Sequence, residues 1–178
     1  MADSIKVETE VFARRYAALF SSPDCSSDEH VANIAAEVAK YYRPGLTIFT
    51  NGVISKFEVR PEHIHCCAGL THLKNRSEAA HLIEKEMRKN ISYGIGTCLI
   101  LEDISKVEVY SPTSALCWIS WTFRPAAGSD FEGRPWRFTN IYGYRAEPDN
   151  PSDAGWEFVL RDEEVNAMVA ATGKTFTN

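Results

Sequence analysis

Residues 136–145 read WRFTNIYGYR, and residues 115–124 read ALCWISWTFR. Both stretches are dense in aromatic and β-branched side chains and contain no proline, the composition of a paired strand. Along the first, Asn140, Tyr142 and Tyr144 alternate and therefore share one face, while Arg137 and Arg145 take the other. Two further β runs flank them, Thr97–Tyr110 and Trp156–Arg161. A short turn, Ser111-Pro112-Thr113-Ser114, and two loops at 125–135 and 147–155 rich in Gly, Pro, Asp and Ser connect the four runs. Consecutive strands on such connections imply an antiparallel sheet.

Upstream the period changes. Val11, Phe12, Tyr16, Leu19 and Phe20 form a helical stripe that Pro23 and Asp24 end. Ser26 and Glu29 have capping-box spacing, and Val31, Ile34, Val38 and Tyr41 recur behind them up to Arg43-Pro44-Gly45. Leu46–Thr50 and Val53–Val59 read as a hairpin turned by Asn51-Gly52. A third helix is expected from Ser77 to Asn90, with Ile83 and Met87 inward and Glu84 paired with Arg88. Asp162 is expected to cap a last helical turn or two, with Val165, Met168 and Val169 facing in. The order α-α-β-β-α-β-β-β-β, with helices grouped apart from strands, predicts an α+β fold and a single domain over 1–178.

The chain has 178 residues, enough for one sizeable core and too few for an eight-stranded α/β barrel. A formal net charge of −5 argues against a sequence-independent nucleic-acid binder, which needs a basic face. No apolar run reaches the length of a bilayer span, and MADSIKVETEVF lacks the apolar region of a signal peptide. Five cysteines, an odd number, then read as reduced thiols, so a cytoplasmic location is expected.

This element order resembles the nuclear-transport-factor-2-like superfamily, also called SnoaL-like, over about residues 8–170. The resemblance is carried by Tyr41-Tyr42-Arg43-Pro44 running into Leu46–Gly52, by Trp136–Arg145, and by Gly155-Trp-Glu-Phe-Val159. It implies three helices closing a strongly curved sheet into a cone with a pocket inside. Its members include ketosteroid isomerase, scytalone dehydratase, polyketide cyclases and members without catalysis, so function has to come from the pocket residues. Arg15-Tyr16-Ala17-Ala18-Leu19 is similar to the isomerase segment whose tyrosine donates to the substrate oxygen, which gives Tyr16 that role. The isomerase's base aspartate corresponds to Thr50, whose hydroxyl cannot abstract a proton as a carboxylate does; Thr50 is left as a substrate contact. Scytalone dehydratase carries paired histidines on late strands, and no histidine follows His81.

The residues themselves supply the other candidates. Asn140, Tyr142 and Tyr144 either line the pocket or cover an interface; parity alone does not choose. Glu157, between Trp156 and Phe158, is either an acid with a raised pKa or a solvent-facing carboxylate. Arg43, at the expected end of the second helix, either holds an anionic group or complements the helix dipole. Trp118, with Trp121, Trp136, Trp156 and the neighbouring phenylalanines, either fills a core or walls a pocket for a flat hydrophobic ligand. His63-Ile-His65-Cys66-Cys67 has neither CxxC nor HExxH spacing, so no metal is expected; His65 or His72 either belongs to an ordinary buried or surface histidine group or reaches the pocket as a base. Tyr93-Gly94-Ile95-Gly96 lacks a third glycine and precedes a strand, so no nucleotide cofactor is expected.

The reading is a cofactor-free isomerase, cyclase or dehydratase. The resemblance supplies its substrate class, a hydrophobic natural-product-type molecule. Tyr16, Arg43, Asn140, Tyr142 and Glu157 would be catalytic, and Thr50, His65, Trp118 and Tyr144 would contact substrate. The alternative is a non-catalytic ligand-binding or dimeric interaction module. Homodimerisation through the outer sheet face is implied by the resemblance.

Overall fold

The computed structural model describes residues 2–21, 28–57 and 70–174. Helix α1 spans Ala2–Ala18, α2 Asp28–Ala39 and α3 Leu70–Ser92. The strands are β1 (Tyr42–Thr50), β2 (Val53–Lys56), β3 (Cys98–Ser111), β4 (Ser114–Arg124), β5 (Trp136–Arg145) and β6 (Gly155–Leu160). A closing helix, α4, runs from Asp162 to Thr172. The sheet order is β2-β1-β6-β5-β4-β3. Every neighbouring pair is antiparallel except β1 and β6, which run parallel. The fold is α+β with a mixed, curved sheet that does not close into a barrel.

The concave face carries the core. Ala115, Cys117, Ile119, Trp121 and Phe123 of β4 lie beside Trp136, Phe138, Asn140, Tyr142 and Tyr144 of β5, and all are buried. Phe123 and Trp136 stack at 4.5 Å with planes 5° apart. Alternation therefore puts Asn140, Tyr142 and Tyr144 inside. On the outer face Gly143 lies under the ring of Phe158, where an added Cβ would sit 2.2 Å from Cε1. The β5–β6 register slips between Gly143 and Tyr144, so Trp156 and Val159 are both buried despite their odd spacing. Phe158 consequently points outward, and Glu157 does too.

Several boundaries differ from expectation, each for a local reason. Helix α1 starts well upstream of Val11, and its buried stripe is Ile5, Thr9, Ala13, Tyr16, Ala17 and Phe20. Thr9 is hidden there because its hydroxyl donates to the Ile5 carbonyl at 2.7 Å. Val11 is exposed instead. Helix α2 stops at Ala39, and Arg43 lies on a strand rather than at a helix end. The reason is β6: Tyr42 pairs with Trp156, whose N–H donates to the Tyr41 carbonyl at 2.8 Å. Pro44 falls in the register shift that follows, where its missing N–H costs no bond to β6, and the Gly45 N–H donates to the Phe57 carbonyl at 3.1 Å. Helix α3 begins at Leu70 rather than Ser77; Glu84 accepts from Arg88 as expected. Helix α4 is longer than two turns, and Val169 is exposed while Val165 and Met168 are buried.

The Asn51-Gly52 turn holds as read, but β1 starts at Tyr42 rather than Leu46 and β2 ends at Lys56, residues 58 and 59 of the expected return strand lying outside the described residues. Asn51 and Gly52 both have positive φ, 47° and 81°, as a two-residue primed turn requires. Asp162 accepts from the Asn51 amide at 2.6 Å and so ties α4 to this turn. No helix of the described residues is long and apolar enough to cross a membrane.

Candidate functional site

Inside the cone the aromatic rings pack unevenly. Trp156 is sealed by Phe12, Tyr16, Tyr142 and Tyr144, with ring centroids 5.0–5.9 Å away. Beyond Tyr16 the packing stops and leaves a cavity of about 100 Å³. Its apolar wall includes Phe20, Val38, Ile48, Ile83, Met87 and Trp121. Its polar wall is drawn from five elements: Tyr16 from α1, Tyr42 from β1, Glu86 from α3, Asn140 and Tyr142 from β5, and Arg161 and Glu164 around the start of α4.

Two connected groups form the polar wall. The Tyr16 and Tyr42 hydroxyls meet at 2.6 Å, and the Tyr16 and Tyr142 rings lie 5.7 Å apart. The Asn140 amide nitrogen donates to Glu164 Oε2 at 2.8 Å and approaches the Tyr142 hydroxyl at 3.5 Å. Arg161 Nη1 donates to both Glu86 oxygens, at 2.9 and 3.1 Å, and its Nε lies 3.5 Å from Glu164 Oε2. Burial alone would press Arg161 toward its neutral form, but Glu164 and Glu86 outweigh it and hold the guanidinium charged.

The tyrosines stay neutral. Burial, then the neighbouring Tyr142 and Tyr42, raise the Tyr16 pKa well above its ordinary value. Burial pushes Tyr42 up to about 12, against smaller opposing effects of Tyr16 and Arg161. Tyr142 is raised by burial as well. All three are hydroxyl donors at neutral pH, set opposite two carboxylates. Raised folded-state values mean that this stabilisation is complete below the unfolded tyrosine pKa of about 10 and is lost as pH climbs toward 12. Urea midpoints measured from pH 8 to 12 should hold level to about pH 9–10 and then fall, less steeply for Tyr42→Phe.

The structure brings Tyr16, Asn140 and Tyr142 together at the cavity and places Arg43, Thr50, Trp118, Tyr144 and Glu157 elsewhere. Arg43 bonds Glu147 at 2.6 Å and the Asp153 carbonyl, and lies 3.8 Å from Glu157. Glu157 accepts from Arg145 at 2.9 Å on the outer side of β6, so neither it nor Arg43 lines the cavity. Alternation from the buried Trp156 turns Glu157 outward, and the early start of β1 explains Arg43. Tyr144 faces inward but donates to Glu8 at 2.6 Å, also outside the cavity lining. Trp118 is on the outer face under the Lys106 ammonium, 4.7 Å from its ring centre. Thr50 pairs with Val53 at the hairpin end and does not line the cavity. His63, His65, Cys66 and Cys67 lie outside the described residues.

Among the polar residues of the cavity, Tyr42, Glu86, Thr97, Arg161 and Glu164 were not singled out as catalytic or substrate-contacting from the sequence. Glu86 carried a signal, since it follows Ile83 by three and adjoins Met87 on the apolar side of α3. Arg161 and Glu164 have i, i+3 spacing and adjoin the buried Val165, which marks them as facing inward.

No protein-family model and no curated protein matches the sequence. Solved structures do resemble it. A nuclear transport factor 2-like superfamily protein from Salmonella enterica serovar Typhimurium superposes with a TM-score of 0.51 at 12% identity, covering 90% of this chain and 91% of that one. A ketosteroid isomerase-like protein from Erwinia carotovora atroseptica gives 0.50 at 12% identity, over 85% and 89%. The helices packed into a curved six-stranded sheet, with β1 inserted parallel to β6, are thus those of the nuclear-transport-factor-2-like fold.

Proposed function

We propose that the chain is a cofactor-free isomerase, cyclase or dehydratase that moves a proton on a small hydrophobic molecule. The observation that carries the reading is the facing of neutral tyrosine hydroxyls and carboxylates across a buried cavity. Tyr16, with Tyr42 and Tyr142 behind it, would hold the substrate oxygen and bear the negative charge that develops there. Glu164, oriented by Asn140, would take the proton from carbon and return it at a neighbouring carbon, or pass it to a β-hydroxyl that leaves as water as its C–O bond breaks. Arg161 keeps the carboxylates in place. A cavity of about 100 Å³ admits only the reacting end of a natural-product-sized substrate. A cytoplasmic setting is part of the same proposal.

The test does not need the native substrate. Cyclohex-2-enone in D2O should exchange its acidic hydrogens faster with the protein than in buffer, read by proton NMR. Tyr16→Phe and Glu164→Gln should each lower that acceleration on the order of 100-fold while near-UV circular dichroism stays native. Exchange at the buffer rate, or equal rates in all three proteins, would sink the enzyme reading.

The non-catalytic, dimeric reading has one observation in its favour. Leu116, Trp118, Ile141 and Phe158 are only half-buried and form an apolar strip on the outer sheet face. The same strip supports a homodimer under either reading.

A further inference from the structure

The ends of α1 and α3, the start of β3 and the end of β4 border a second space of about 430 Å³. That is the size of a small-molecule site. It is separate from the cavity inside the cone. Cys98 and Ile100 line it from β3, whereas Leu99 between them lines the inner cavity, as alternation requires. Among the described residues only Thr97 borders both spaces.

Its walls are largely apolar. Ile91, Ile100, Pro125, Ala126 and Ala127 supply side chains. Gly94 and Gly96 supply none, and their positive φ of 72° and 86° keeps larger residues from those positions.

The polar groups at this rim differ in what they still offer. Carbonyls at the two helix ends are already bonded: Phe20 accepts from the Leu99 amide at 3.1 Å, Asn90 from Ile95 at 2.9 Å and Ile91 from Gly94 at 2.9 Å. Arg124 is the opposite case. It stands across the β3–β4 ladder from Cys98 and is exposed, and among the described residues its guanidinium has no hydrogen bond or ion pair. An occupant therefore meets a planar fork of unused donors beside apolar walls, which is the complement of a carboxylate with an apolar body. The helix ends would favour a cation, but their bonded carbonyls offer it no ligand.

We infer that this rim space is a second binding site, for a medium-chain carboxylate whose head group sits on Arg124 and whose chain lies along Ile91, Ile100 and Ala127. It is independent of the reaction proposed for the cone and stands whether or not that reading holds. An amine in the same place would set its charge against the guanidinium. An alcohol would keep the apolar contacts without the ion pair.

Octanoate, octan-1-ol and octylamine test this. Each is titrated at low-millimolar concentration into full-length protein labelled with nitrogen-15 and with carbon-13 at the isoleucine methyls. Octanoate should shift the Ile91 and Ile100 methyls and the Ala126 and Ala127 amides. It should bind about tenfold tighter than octylamine, with octanol between them. Arg124→Gln, a change at an exposed side chain, should weaken octanoate about threefold, the worth of one exposed ion pair, and leave octanol unchanged. Ala127→Trp, which fills the space from its exposed edge, should weaken all three. Octylamine binding as tightly as octanoate, or octanoate unmoved by Arg124→Gln, overturns the inference. So do shifts that fall on Asn140 and Tyr142 instead of the rim, or no shift from any of the three.

Discussion

Arg161→Leu is expected to cost about 3 kcal/mol, the lower end of the loss when one partner of a buried ionic group is removed. The guanidinium is 10% exposed and stands between Glu86 and Glu164. Without it two carboxylates share one cavity wall, offset among the described residues only by the Asn140 amide on Glu164. The cost should appear as a lower urea midpoint at unchanged slope. It should also shrink as pH is lowered, because a carboxylate forced to stay near its neighbour takes up a proton more readily. Adding Glu86→Gln to Arg161→Leu should restore part of the loss, whereas Glu86→Gln alone, which leaves Arg161 with Glu164, should be mild. A single variant as stable as the parent would show that this ion group does not hold α4 in place.

Trp156→Ala should cost about 4 kcal/mol, within the range for emptying a large aromatic site. Trp156 is wholly buried and touches Phe12, Tyr16, Tyr142 and Tyr144. Those rings cannot close over the void together, because Tyr16 is held by Tyr42 and Tyr144 by Glu8. Trp156→Phe should cost far less than its lost volume suggests, since the indole N–H is a buried donor with no acceptor. Thermal denaturation of both variants checks the contrast, and equal midpoints would contradict it.

The element order and fold class were legible because the periodicities are clean where they matter. Residues 136–145 alternate strictly, and the buried face of β5 is Trp136, Phe138, Asn140, Tyr142 and Tyr144. What parity could not give was which face is concave, because that depends on how the sheet curves rather than on any one strand. Tyr42 escaped through a different cause. Its neighbours Val38 and Tyr41 continue a helical stripe, but pairing with Trp156 pulls Tyr42 into a strand. Tertiary pairing overrode local period there, and Arg43 moved with it. For Glu157 the sequence leaves pocket and solvent both open; alternation from the buried Trp156 turns it outward, whereas the register slip opposite Gly143, which no composition signal announces, decides only Phe158 and Val159. Of the site, Tyr16, Asn140 and Tyr142 could be read because they sit inside regular elements. Arg161 and Glu164 carried only the weaker signal of i, i+3 spacing before Val165, because the turn from β6 into α4 offers too short a stretch of either period.

The parallel union of β1 with β6 has a consequence for how the chain reaches this state. Tyr42–Thr50 finds its central neighbour only in Gly155–Leu160, across more than half the length of the chain. Closing so long a loop costs entropy before any contact repays it, and topologies dominated by such distant pairings fold slowly. On a ribosome the β1–β2 hairpin emerges early, with one edge bare, and must wait for almost the last strand to be made. The cavity residues Arg161 and Glu164 arrive later still. During that interval the first helices and the hairpin have no completed sheet to pack on. The protein's exposure to aggregation is therefore set during synthesis, by the order in which its strands appear.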